Sequence, residues 1–285
     1  MSHTRVDLVR PAHAKVNLWL NVVGRRDDGY HLLDSLVAFV DLADQVEARP
    51  DDRLSLGLDG PLAGALAGEA DNLVLKAARL LADRAGVAPR AAIRLIKHIP
   101  VAAGLGGGSA DAAAALRELV ELWRVTMPEE ELFDLAARLG ADVPMCLAGR
   151  AAFVSGVGER LTGAPPLPEC AVMLVNPGTA LPTRDVFAAR RGAFSPVRPA
   201  PRPWRDLAEL AGVLADRGND LTAAAVLLAP LVGQVLEGLA RTEARHVAMS
   251  GSGASCFALY DSPDLARRAA SALPASWWRH IGRFV

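Results

Sequence analysis

Gly104, Gly106, Gly107 and Gly108 place four glycines within five positions and run straight into an alanine-rich segment, Ala110-Asp111-Ala112-Ala113-Ala114-Ala115. Just upstream, residues 91–99 alternate apolar and basic side chains, the period of a half-buried strand. Strand, glycine loop and helix start is the geometry that wraps backbone N–H groups around a phosphate. Glycines let the chain approach an anion closely. The helix start adds unpaired donors and the positive end of the macrodipole. Four glycines cost too much backbone entropy to serve only as a flexible turn. Ser109 follows them where a hydroxyl could cap the helix, touch a phosphate or lean on a Mg2+ ion.

The type of loop is narrowed by what is missing. No Lys follows the glycines, so a Walker A loop is excluded. The dinucleotide pattern G-x-G-x-x-G fails, because its third glycine falls on Ser109 or Asp111. No H-R-D or D-F-G element follows, as a protein kinase requires. What stands is Pro100-Val101-Ala102-Ala103-Gly104-Leu105-Gly106-Gly107-Gly108-Ser109-Ala110. This stretch resembles the phosphate loop of the GHMP small-molecule kinases, which include galactose, homoserine, mevalonate and phosphomevalonate kinases.

Composition sets wide bounds. The 285 residues suit one large or two modest domains. At 51% hydrophobic and 22% charged, the chain reads as an ordinary globular protein with ample core. A net charge of -1 without a basic block gives no footprint for nucleic acid or a membrane surface. The three cysteines, Cys146, Cys170 and Cys256, have no metal or disulfide spacing and read as free thiols in a reducing cytoplasm. Met1 to Arg10 lacks the apolar core of a signal peptide, and no apolar run reaches the length of a membrane span. No metal-ligating side chains are assigned, and the oligomeric state is left open.

Along the chain, Lys15 to Val23 and His31 to Asp41 read as strands around the turn Gly24–Tyr30, with further short strands over Val46–Leu58. A helix is expected over Asn72–Ala85, ending at Gly86, and the helix after the glycine loop over about Ala110–Trp123. Glu129–Leu139 follows Pro128 as a helix that Gly140 ends, and Asp142 precedes a short one. Pro165, Pro166 and Pro168 mark a linker, Cys170–Val175 a buried strand, and Ser195–Pro203 a mobile or crossing loop. Leu221–Ala240 reads as helix, His246–Ser250 and Cys256–Tyr260 as strands, and Asp264–Ala272 as a last helix. The mixture without regular alternation predicts an α+β chain in two domains, 1–163 and 164–285.

Four constellations could carry chemistry. Lys15, between Ala14 and Val16 in Pro11-Ala12-His13-Ala14-Lys15-Val16-Asn17-Leu18, is either surface charge or a half-buried ammonium that needs an anion. Gly29-Tyr30-His31 pairs an aromatic with a histidine, either as structure or to stack on a base. In Gly140-Ala141-Asp142-Val143-Pro144, Asp142 is either a helix cap or a functional carboxylate. The alternating Gly and Ser of Ser250-Gly251-Ser252-Gly253 form a tight hairpin or a set of anion donors.

GHMP kinases carry an N-terminal strand with a P-x-[KR]-x-N element, a central glycine loop and a C-terminal glycine-rich turn, and the chain has all three in order. Asp28-Gly29-Tyr30-His31, Gly140-Ala141-Asp142-Val143-Pro144, Gly156-Val157-Gly158-Glu159 and Pro182-Thr183 resemble the subfamily that phosphorylates 4-diphosphocytidyl-2-C-methyl-D-erythritol in the non-mevalonate isoprenoid route. The resemblance implies a ribosomal S5 domain 2-like N-terminal ATP-binding domain and a ferredoxin-like C-terminal domain on the substrate side. It implies MgATP as phosphoryl donor, a small cytidyl acceptor and a cytoplasmic enzyme. Lys15 and Asp142 match its catalytic pair. Residues 100–110 match its ATP loop. Asn17, Tyr30, His31, Thr183 and Phe187 match substrate-binding positions. Arg184 stands where Pro is common. A homoserine- or mevalonate-type acceptor is the alternative, and a catalytically silent nucleotide-binding protein is the reading from another class.

Overall fold

The computed structural model describes residues 9–66 and 72–285. The reading of Met1–Leu8 lies outside them. In chain order come β1 (Val9–Arg25), β2 (His31–Arg49), β3 (Ser55–Asp59), α1 (Leu73–Ala85), β4 (Ala92–Ile96), α2 (Gly107–Leu122), α3 (Glu129–Leu139) and α4 (Val143–Ala148). Next are β5 (Ala152–Gly156), β6 (Arg160–Gly163), β7 (Ala171–Asn176), α5 (Thr183–Ala189), α6 (Leu207–Arg217), α7 (Thr222–Leu228) and α8 (Pro230–Ala240). The last are β8 (His246–Met249), β9 (Cys256–Tyr260), α9 (Pro263–Ser271) and β10 (Trp278–Gly282).

The chain forms two compact units that interleave in sequence. The first takes the chain up to Ala14, Ala43–Val101 and Gly106–Gly149; the second takes Lys15–Leu42, Ala102–Leu105 and Arg150 onward. The strand expected over His31–Asp41 runs on unbroken to Arg49, where Pro50 ends it.

In the first unit, β3 lies parallel to β4, and β4 lies antiparallel to residues 45–49 of β2. Helix α1 starts because Asn72 Oδ1 accepts the Val74 N–H at 2.9 Å, and it ends on Gly86 in the left-handed region. Its buried side is Val74, Ala77, Ala78, Leu81 and Ala82. Helix α2 packs against α1, and its Ala110 and Ala112–Ala115 are buried small side chains that favour helix. Glu129, Glu130 and Glu131 in the first turn of α3 oppose its dipole.

In the second unit, residues 33–37 of β2 pair with β5, and β5 with β6. A four-stranded antiparallel sheet runs in the order β10-β7-β9-β8, with α5 to α8 between β7 and β8 and α9 between β9 and β10. This is the expected ferredoxin-like arrangement. All six residues of β7 are buried, which is why it reads as an uninterrupted apolar run. Met173, Val175, Val186, Leu221, Val232 and Tyr260 share its core. The helix expected over Leu221–Ala240 is broken at Ala229, because Pro230 has no N–H to continue it. Helix α6, capped by Asp206 on the Glu209 N–H at 2.9 Å, was not expected.

The proline-rich Ser195–Pro203 segment is tied down rather than mobile. Ser195 N–H donates to Val22 O at 2.9 Å, and Arg217 Nη2 donates to Pro199 O at 2.6 Å. Trp204 Nε1, just beyond it, donates to Pro166 O at 2.8 Å.

His246 on β8 makes this unit acid-sensitive. Its Nε2 is buried without a partner, and burial pushes its pKa down from 6.5 to about 4. The native ring stays neutral while the unfolded chain takes up a proton at its ordinary value. The contribution is full above 6.5 and is lost as pH falls toward 4. Between pH 6.5 and 5 the loss from this one group is about 2 kcal/mol. Urea unfolding at the two pH values should show that drop in the wild type and a smaller one in His246→Leu. Equal drops would remove His246 as the cause.

Candidate active site

The second unit joins three distant segments by hydrogen bonds. Lys15 on β1 donates its backbone N–H to Leu105 O at 2.9 Å. Its ammonium, on a residue 6% exposed, donates to Asn17 Oδ1 at 2.6 Å. Asn17 Nδ2 donates to Ser35 Oγ at 2.9 Å, and Ser35 Oγ donates to Trp19 O at 2.6 Å, so the amide has one orientation. Asn17 N–H donates to Ser250 Oγ at 3.1 Å, and Ser250 Oγ donates to Gly104 O at 3.0 Å. Ser255 N–H donates to Ala103 O at 3.1 Å. The Ser250–Gly253 turn is thus a latch for the loop. The Ser250 hydroxyl, read from sequence as a possible anion donor, is used in that latch.

Gly104 is where the fit is closest. Its φ is +75°, and a Cβ there would lie 2.6 Å from the carbonyl oxygens of both Gly253 and Ser250. Ala102 (φ 52°) and Gly106 (φ 66°) are also left-handed, so left-handed residues alternate along the loop, a pattern that turns successive N–H groups into one concavity.

Substrate-side residues gather in the same unit. Thr183 Oγ1 lies 3.0 Å from Ser252 Oγ. Phe187, one turn further along α5, stacks on His31 with ring centroids 4.8 Å apart and planes 25° from parallel. Burial, Arg25 and Arg190 together lower the His31 pKa, which keeps the ring neutral and able to stack. Tyr30 stands out at 62% exposed, held by its N–H to Asp28 Oδ1 at 3.2 Å. Arg184 points outward and pairs with Asp185 at 3.2 Å. The structure therefore brings together Lys15, Asn17, Ala103, Gly104, Leu105, Thr183, His31 and Phe187.

The first unit holds the flanks of the loop and Asp142. Helix α2 starts at Gly107, three residues earlier than expected, with Gly106 at its N-cap position and no side-chain cap bond. Ser109 is therefore the third helical residue rather than the cap. The Gly107, Gly108 and Ser109 N–H groups have no intrahelical acceptor and can serve an anion. Ala110 N–H closes the first turn on Gly106 O at 2.9 Å. Pro100 and Val101 precede this turn, with Val101 38% exposed. Asp142 occupies the N-cap position of α4, yet its side chain makes no cap bond; its carbonyl accepts the Cys146 N–H at 3.2 Å. The cap reading of its carboxylate is thus overturned.

Sequence reasoning missed Ser35, which orients Asn17 through a hydroxyl that no motif marks. It also missed Asp44 and Lys97, whose only signal is a charge inside an apolar strand pattern.

Family models match the chain in two places. The GHMP kinases N terminal domain covers residues 72–150, and the GHMP kinases C terminal domain covers residues 199–279. The chain belongs to the GHMP kinases. This GHMP kinase is 53% identical, over 94% of its length and 95% of the relative's, to 4-diphosphocytidyl-2-C-methyl-D-erythritol kinase of Paramagnetospirillum magneticum. The protein of that name from Rhodospirillum rubrum is 48% identical over 98% of this chain and 93% of the relative. The fold matches the crystal structure of a 4-(cytidine 5'-diphospho)-2C-methyl-D-erythritol kinase with TM-score 0.78 at 39% identity, covering 97% of this chain and 99% of that one. The homoserine kinase of Cytophaga hutchinsonii matches with TM-score 0.71 at 19% identity over 99% of this GHMP kinase and 96% of that chain, a likeness of fold alone. No helix among the described residues is long and apolar enough to cross a membrane.

Proposed function

We propose that this GHMP kinase transfers the γ-phosphoryl group of ATP to the 2-hydroxyl of 4-diphosphocytidyl-2-C-methyl-D-erythritol. The observation that carries the acceptor is the His31–Phe187 stack, connected through α5 and Thr183 to the turn that latches Asn17. Two flat faces suit a pyrimidine, and a homoserine- or mevalonate-type acceptor has no base to place there. Tyr30 and His31 would hold the cytidine end with Phe187; Asn17 and Thr183 would hold the methylerythritol. The names of the full-length relatives support the same acceptor.

Residues 100–110 would bind the ATP phosphates, with the alternating backbone directing N–H groups inward. Mg2+ would arrive on the nucleotide as part of the substrate, with the Ser109 hydroxyl within the loop available to it. The acceptor oxygen attacks the γ-phosphorus, the bond to the β–γ bridging oxygen breaks, and ADP leaves. Asp142 would take or orient the hydroxyl proton, and Lys15 would offset charge on the moving group. We assign the ATP-binding part to residues 1–163 and the substrate-side part to 164–285; the two family matches fall on either side of that boundary. We read the chain as a cytoplasmic enzyme whose partners are ATP and the cytidyl acceptor, with no nucleic acid or membrane among them.

ADP release with MgATP tests the reading against the cytidyl acceptor, homoserine, mevalonate and galactose. Turnover confined to the cytidyl acceptor supports it. Turnover on another alcohol overturns the acceptor, and ATP binding without any turnover overturns the catalytic assignment. Phe187→Ala should raise KM for the cytidyl acceptor about 10- to 100-fold, the worth of one stacked base, with KM for ATP unchanged. An unchanged acceptor KM would sink the stacking role.

A further inference from the structure

Three charged side chains lie in the interior of the first unit. Lys97, Asp44 and Asp111 are each no more than 2% exposed. Lys97 Nζ donates to Asp44 Oδ2 and, at 2.7 Å, to Asp111 Oδ2. The other oxygen of Asp44 accepts the N–H of His98 at 2.5 Å and of Ile99 at 2.8 Å, the last two residues before Pro100. Gly107 backs onto the same group: a Cβ there would stand 3.2 Å from Ile99 Cγ2 and 3.5 Å from Lys97 Nζ. Asp111 belongs to the second turn of α2, and its Oδ1 is buried without a partner. The trio therefore grips the strand exit through Asp44 and the helix entry through Lys97 and Asp111.

Packing alone does not account for it. Well-packed apolar residues commonly replace buried ion pairs without loss of stability. These charges do what apolar groups cannot. One carboxylate fixes two backbone N–H groups, and one cation sits directly behind the first glycine of the helix. Burial raises the Asp111 pKa against the pull of Lys97.

We propose that Lys97, held by Asp44 and Asp111, is a positioning residue for the phosphate loop, acting through the Gly107 backbone rather than by touching the nucleotide. The proposal rests on the kinase reading for its consequence, but calorimetric ADP binding measures it without any acceptor turnover, so the two fail separately. Lys97→Met should weaken ADP binding and raise KM for ATP about tenfold, with KM for the acceptor within twofold. That variant leaves two carboxylates facing each other and can lose its fold. Lys97→Met/Asp111→Asn relieves the repulsion and should be folded with the same nucleotide defect. Unchanged ADP affinity in a folded variant overturns the proposal. So does an equal rise in both KM values, or a double variant that cannot fold, because the trio would then serve the core as a whole.

Discussion

Asp142→Asn lowers kcat by about 10²- to 10⁴-fold, the usual worth of a positioned proton acceptor, while KM for ATP and for the acceptor stays within about twofold. Asparagine has the same shape and cannot take the hydroxyl proton. The Asp142 side chain makes no cap bond to α4, and the carbonyl that accepts the Cys146 N–H is retained. Thermal unfolding measured alongside separates lost chemistry from lost fold. Steady-state ADP release with the cytidyl acceptor is the measurement. A kcat within threefold of wild type would falsify the proton-acceptor role and leave positioning as the main source of rate enhancement.

Gly104→Ala is expected to remove nucleotide binding. The new methyl would meet two carbonyl oxygens, of Gly253 and Ser250, at 2.6 Å, where real Cβ contacts do not occur. Both neighbours are backbone, so no side chain can swing aside. The left-handed φ of +75° adds a further cost of about 1–2 kcal/mol for an L-residue. Relief requires the loop to leave the turn. That breaks the Ser250–Gly104 bond, and Ser255 to Ala103 with it. ADP affinity by calorimetry should fall at least 100-fold, with the far-ultraviolet circular dichroism little changed. Gly86→Ala is the control: it too is left-handed, but nothing lies within 4 Å of its Cβ position. Its nucleotide affinity should match wild type. A loss of affinity shared by both variants would point to general destabilisation.

Local signals made much of this legible in the sequence. The Asn72 cap, the Gly86 stop and the Glu-rich start of α3 are short-range events, and the expected helices end where those residues stand. The apolar run of β7 reads as a buried strand because both its faces are covered. The start of α2 was misplaced by three residues, since glycines suppress helical propensity and tertiary packing overrides it. Helix α6 lies just past a proline-rich stretch, and its cap is a single Asp in a polar setting. The residues that make the site work together were least visible. Asn17 meets Ser250 across 233 positions and Asp44 meets Ile99 across 55, and no periodicity encodes such pairs.

That latch also sets a schedule for synthesis. β1 is made long before its partners: the hydroxyl that accepts its Asn17 N–H and the amide that holds Ala103 belong to residues 250 and 255. The glycine loop therefore has no seat until residues 250 to 255 have been made and have folded back onto it. A chain stalled near residue 240 would carry the loop without its latch.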